Sequence, residues 1–157
     1  MSMEERQAKR IAAGLTVLRV AVGAAFVAHG AQKLFVFGLG GVAGAFGHMG
    51  IPLPGITGPL VAVVEFAAGL ALVFGLLTRL ASLGLAIDML GAILLVHLKN
   101  GFFLPNGFEY AFAMLAATVA LTLAGPGALA LDNVLGRERE EIAETAARER
   151  RGVSAAA

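Results

Sequence analysis

Six ionisable side chains stand inside otherwise apolar stretches of this sequence: Arg19, His29, Glu65, Asp88, His97 and Glu109. In hydrocarbon each is costly unless it is paired or hydrated, so each requires a partner or a task. Lys33 follows His29 by four residues, and one helix face therefore presents an imidazole and an ammonium to the same neighbour. Counted at ~1.5 Å per residue, Glu65 lies ~10 Å below one boundary of its apolar stretch, near the level of His29. His97, Glu109 and Tyr110 fall toward the same boundary. Such a group suits proton-coupled chemistry on a small polar ligand. Lys33 and Arg19 would supply positive field, Glu65 and Glu109 would relay protons, and His29, His97 and Tyr110 would hydrogen-bond ligand oxygens.

Arg19 and Asp88 each sit ~12 Å from the opposite boundary by the same count, which makes them candidates for an intramembrane ion pair. A pair that only fixes helix register is the alternative for these two. Asp88 and His97 are nine residues apart and project to opposite sides of a regular helix, so they share a pocket only where that helix ends or kinks. Asp88 could instead serve a subunit interface. His29, His48 and His97 lack the neighbours of a metal or haem site, and no metal is expected. The chain has no cysteine, which excludes disulfides, thiolate metal sites, iron–sulfur ligation and a cysteine nucleophile.

The elements that would position these residues are membrane helices. With 58% hydrophobic and 15% charged residues over 157 positions, too little polar surface exists to cover a soluble globule. A net charge of +1 gives no global bias toward nucleic acid. Gly, Pro and charged residues divide the apolar tract into four stretches: Ile11 to Gln32, Gly58 to Leu77, Leu80 to Leu98 and Phe108 to Ala124. Each approaches the ~20 residues that cross a bilayer, so the expected fold is all-α, an integral membrane four-helix bundle. Its stretch Gly58–Leu77 carries one charge, Glu65, and no polar stripe of the kind a soluble bundle needs.

In a four-span arrangement Arg6, Lys9, Arg10, Arg79, Arg137, Arg139, Arg148, Arg150 and Arg151 fall on one side, and Lys33 and Lys99 on the other. The positive-inside rule then places both termini in the cytoplasm. Arg19 interrupts the first stretch, which also runs too long for the core of a cleaved signal peptide. The expected organisation is a cytoplasmic N-terminal segment at 1–10, a transmembrane bundle at 11–135 and a charged cytoplasmic tail at 136–157. A Gly/Pro-rich external loop at 34–57 is expected to cap the outer end, because Phe46, Met49 and Ile51 need burial.

The text His29-Gly30-Ala31-Gln32-Lys33-Leu34-Phe35, then Glu65-Phe66-Ala67-Ala68-Gly69, Gly75-Leu76-Leu77-Thr78-Arg79, Gly107-Phe108-Glu109-Tyr110 and Leu131-Asp132, in this order and spacing, resembles the DoxX family of small four-helix membrane proteins. The resemblance runs from about Leu18 to Leu135. It implies a multi-pass protein of the bacterial inner (cytoplasmic) membrane. It also implies relatives linked to thiosulfate:quinone oxidoreduction and to membrane oxidoreductase complexes that answer oxidative stress. The chain itself carries no Gly-rich dinucleotide fingerprint.

The resulting expectation is a membrane subunit of a redox complex. His29, Lys33, Glu65, His97, Glu109 and Tyr110 would form a quinone or small-anion site in the outer half, with no covalently bound cofactor. Besides the lipid bilayer, its partners would be copies of itself or a soluble oxidoreductase subunit on the cytoplasmic side. A small oligomeric transporter or channel is the alternative, its intramembrane charges lining a path.

Overall fold

The computed structural model describes residues 1–136, and the tail expected at 136–157 lies, apart from its first residue, outside the described residues. Every regular element among the described residues is helical. Helix α1 (Met3–Ala31) starts on a capping box, with the Ser2 hydroxyl accepting from the Glu5 amide and the Glu5 carboxylate accepting from the Ser2 amide. Its first turns are charged and exposed, and its later turns are apolar. A π-helical segment (Gln32–Phe37) continues α1 into α2 (Gly38–His48), where Gly38 takes a φ of 69° that redirects the chain. Helix α3 (Pro54–Phe74) opens with proline, whose missing amide is one the helix start leaves unpaired anyway. Helix α4 (Thr78–Ala92) runs into a second π-helical segment (Ile93–His97), and α5 (Glu109–Ala124) closes the bundle.

Three helical stretches are long and apolar enough to cross a bilayer: Met3–His48, Pro54–Phe74 and Thr78–Asn100. Helix α5 is also apolar but has 16 residues, roughly 24 Å at 1.5 Å per residue. Val22, Phe26, Leu72, Leu85, Met89 and Leu121 form the core, while Val17, Leu80, Phe112 and Leu123 face outward. Outward apolar side chains on every long helix are what a lipid-facing surface requires.

The expected loop at 34–57 is corrected by the structure, since the chain is helical as far as His48. Glycines at 38, 40, 41, 44 and 47 suggest a break in water. Away from water, backbone amides and carbonyls must bond within the segment, and a helix does that locally. Close packing against α2 comes instead from a glycine of α3, since a Cβ on Gly58 would stand 3.1 Å from the Ala43 amide nitrogen, whereas Gly38, Gly40 and Gly44 have open space around them. Helices α1 and α3 approach as closely, because Gly23 meets Gly69 and Gly30 meets the backbone of Phe66.

The ion pair expected between Arg19 and Asp88 does not form. Arg19 is 1% exposed, and its guanidinium donates to the carbonyls of Leu72 (2.6 Å), Val73 (3.2 Å) and Leu129 (3.1 Å). It thus caps the C-terminal, electronegative end of α3. Gly75 ends α3 in a left-handed conformation, with the Leu76 amide donating to Ala71 O at 2.8 Å. The Asp132 carboxylate then accepts from the amides of Leu77 (2.6 Å) and Thr78 (2.9 Å), which caps α4 from across the fold. Arg19 and Asp132 therefore bind the segment after α5 to the α3–α4 turn. Replacing Arg19 by Leu removes the Arg19 donors from the Val73 and Leu129 carbonyls, while Leu72 O keeps the Gly75 amide, and is expected to cost about 2–3 kcal/mol, read as a lower thermal midpoint in detergent.

Candidate functional site

At the end of the bundle away from the N-terminus, α1, α3, α4 and α5 enclose a cavity of ≈ 620 Å³. Its walls are mostly apolar, with Phe26, Met89 and Met114 on the bundle side, Phe46 from the end of α2, and Met49 and Ile51 from the α2–α3 connection. These last three are the residues that sequence alone marks as needing burial.

Three charged groups meet at the cavity. Lys33 Nζ stands 2.5 Å from Glu65 Oε2, and the two side chains are 21% and 5% exposed. Glu65 is positioned by α3 one turn from the α1–α3 crossing, so the glycines that bring these helices together also set the pair. Asp88 on α4 turns to the same place, within electrostatic reach of both Lys33 and Glu65. Its buried Oδ2 meets no hydrogen-bond donor among the described residues. Two carboxyl groups against one ammonium leave this cluster one positive charge short of balance, so it favours a proton, a cation or a hydrogen-bond donor. A free anion is disfavoured, because Lys33 is engaged and Arg19 lies elsewhere.

His29, His97 and Tyr110 also line the cavity. The Tyr110 hydroxyl lies 3.4 Å from His29 Nε2, with ring centroids 5.9 Å apart. His97 Nδ1 lies 3.0 Å from the Asn106 carbonyl oxygen. A carbonyl can only accept, so Nδ1 carries the proton and a neutral ring keeps Nε2 as its acceptor. Asn106 is a partner that no sequence signal indicates.

Asp88 and His97 reach one cavity because the helix between them changes pitch. Residues 93–97 form a π turn, which absorbs one extra residue and rotates everything beyond it by about 100°. The ~180° separation of a regular helix thus falls to ~80°. Glu109 is not brought to the cavity. It sits at the first position of α5, and its Oε1 accepts from the Leu104 amide at 3.2 Å, holding the preceding loop. Among the described residues no group of three or more His, Asp or Glu is arranged to hold a metal ion.

Long apolar helices around a charged internal cavity define a small helical membrane protein with its polar chemistry inside the bundle. The sequence pattern of the DoxX family matches residues 14–98, and the chain belongs to the DoxX family. A Bacillus subtilis (strain 168) protein named "Putative oxidoreductase CatD" is 34% identical over 119 residues, covering 76% of this chain and 84% of that one. An "Uncharacterized membrane protein" of Mycobacterium tuberculosis is 36% identical over 132 residues, covering 76% and 80%. An Escherichia coli (strain K12) "Inner membrane protein" is 31% identical over 130 residues, covering 80% and 94%. No solved structure matches the chain.

Proposed function

We propose that this chain is the membrane subunit of a redox complex, that it spans the inner membrane four times with both termini cytoplasmic, and that its cavity binds a quinone. The observation that carries the reading is the Lys33–Glu65–Asp88 cluster inside an apolar cavity that also offers His29, His97 and Tyr110. Reduction or oxidation of a quinone moves protons with electrons, and a carboxyl cluster one positive charge short supplies a proton-exchanging group beside a neutral ring. Between a quinone and a small anion, that charge count favours the quinone.

The four-span topology draws support from the ends of the bundle. The chain start, the α3–α4 turn and the segment after α5 share one end, through the Thr16 hydroxyl to Ala128 O and the Asp132 caps. Arg6, Lys9, Arg10 and Arg79 gather there, and Lys33 and Lys99 lie toward the other end. A bilayer that thins slightly accommodates the shorter α5. The name of the Bacillus subtilis relative supports the redox assignment. A soluble oxidoreductase subunit would dock on the cytoplasmic end and exchange electrons with the bound quinone.

Replacing Glu65 by Gln keeps the shape and removes the carboxyl function. In membranes reconstituted with the partner, Glu65→Gln is expected to abolish quinone-linked turnover while the thermal midpoint stays close to that of the unaltered protein, because Asp88 remains to balance the Lys33 ammonium. Unchanged turnover would remove Glu65 from the mechanism.

A further inference from the structure

The cavity opens sideways. Ile87 and Leu95 line it and yet are 63% and 52% exposed, so they stand at its rim. Gly91 lines it between them, and a Cβ added there would meet nothing within 4 Å. Positions 87, 91 and 95 follow at steps of four, one stripe of the helix roughly 12 Å long at 1.5 Å per residue. That stripe occupies the central part of Thr78–Asn100, a stretch long and apolar enough to cross a bilayer. Exposure at that depth is exposure to hydrocarbon. Asp88 adjoins Ile87 in the chain, and its carboxyl group faces Lys33 and Glu65, so the slot leads from the lipid to the charged cluster without crossing water.

We infer that the ligand is a membrane-dissolved amphiphile that enters along α4, with its polar ring at Lys33, Glu65 and Asp88 and its apolar tail leaving over Gly91 between Ile87 and Leu95. The inference rests on the quinone reading of the cavity and specifies the class, a quinone with a long hydrocarbon tail. Gly91 is then the residue that sets specificity, because any large side chain there occupies the path of the tail. A water-soluble ligand would need no lengthwise opening at membrane depth.

The test compares two probes in nanodiscs: a fully ring-substituted benzoquinone with a long alkyl tail, and the same ring with a methyl group in place of the tail. Gly91→Phe is expected to weaken the tailed probe by about tenfold or more, the effect of overfilling a packed site, and to leave the tailless probe unchanged. The open space at Gly91 lets this variant fold, which its thermal midpoint checks.

Gly91→Cys provides an independent readout, because the chain has no other cysteine. Its thiol should react with a lipid-dissolved alkyl maleimide, resist a charged membrane-impermeant maleimide, and be protected by the tailed probe. If both probes bind the unaltered protein but Gly91→Phe weakens neither, the lateral slot is overturned and the quinone cavity stands. Labelling of Gly91→Cys by the charged reagent also overturns the slot. If neither probe binds the unaltered protein, the slot and the quinone reading fall together.

Discussion

Replacing Lys33 by Met is expected to destabilise the protein by about 3–5 kcal/mol, the cost of removing one partner from a buried ion pair. Methionine matches the length of the lysine stem, so packing changes little and the loss is electrostatic. Glu65, 5% exposed, would keep its carboxylate next to Asp88 with no cation between them. No other cation lines the cavity among the described residues, and much of the surrounding wall, including Phe26, Met89 and Met114, is apolar. The double variant Lys33→Met with Glu65→Gln leaves no unpaired charge at position 65 and is expected to recover most of the loss. Thermal midpoints of the two single variants and the double variant in one detergent measure the coupling. A Lys33→Met midpoint equal to that of the unaltered protein would show that the pair carries no stability.

Gly30→Ala is expected to cost about 3 kcal/mol, at the upper end for overfilling a packed contact. The added methyl would overlap the backbone of Phe66, and neither helix can yield by rotating a side chain. Helices α1 and α3 would have to separate, and the Lys33–Glu65 pair spans that same junction. The comparison is Gly91→Ala, also within a helix but with open space around its Cβ. There the ordinary helix preference for alanine applies, and a gain of roughly 0.5–1 kcal/mol is expected. Opposite signs at two helical glycines would show that close helix approach, and not helix propensity, fixes this fold. Equal effects at both positions would contradict the packing argument.

What could be read from the chain alone was mainly what depends on distance along a helix axis. Counting residues brought Glu65 to the level of His29, and the i, i+4 step from His29 put Lys33 on the same face. Azimuth was harder. Arg19 and Asp88 lie at matched depth, yet Arg19 turns to the carbonyl end of α3 and Asp88 turns to Lys33 and Glu65. Depth alone cannot tell these outcomes apart, and a helix C-terminus is as good a partner for a guanidinium as a carboxylate.

The π turn at 93–97 was equally hidden, because ILLVH has the composition of any apolar helix. It is nevertheless what allows Asp88 and His97 to share a cavity. Glu109 was misplaced for a related reason. At a helix start a carboxylate finds nearby backbone amides, and the Leu104 amide takes it away from the cavity. The segment from Gly38 to His48 read as a loop on glycine content, since turn preferences measured in water lose force where the backbone must satisfy itself.

The charged cavity is proposed to hold a quinone in a membrane redox complex. Its most direct test is native mass spectrometry of the protein released gently from its own membrane, for the unaltered chain and for Glu65→Gln. A quinone mass is expected on the unaltered protein, carried together with an oxidoreductase subunit, and is expected to be lost in Glu65→Gln at unchanged assembly. A homo-oligomer that carries only phospholipid, identical in both samples, would overturn the quinone assignment and favour a transporter.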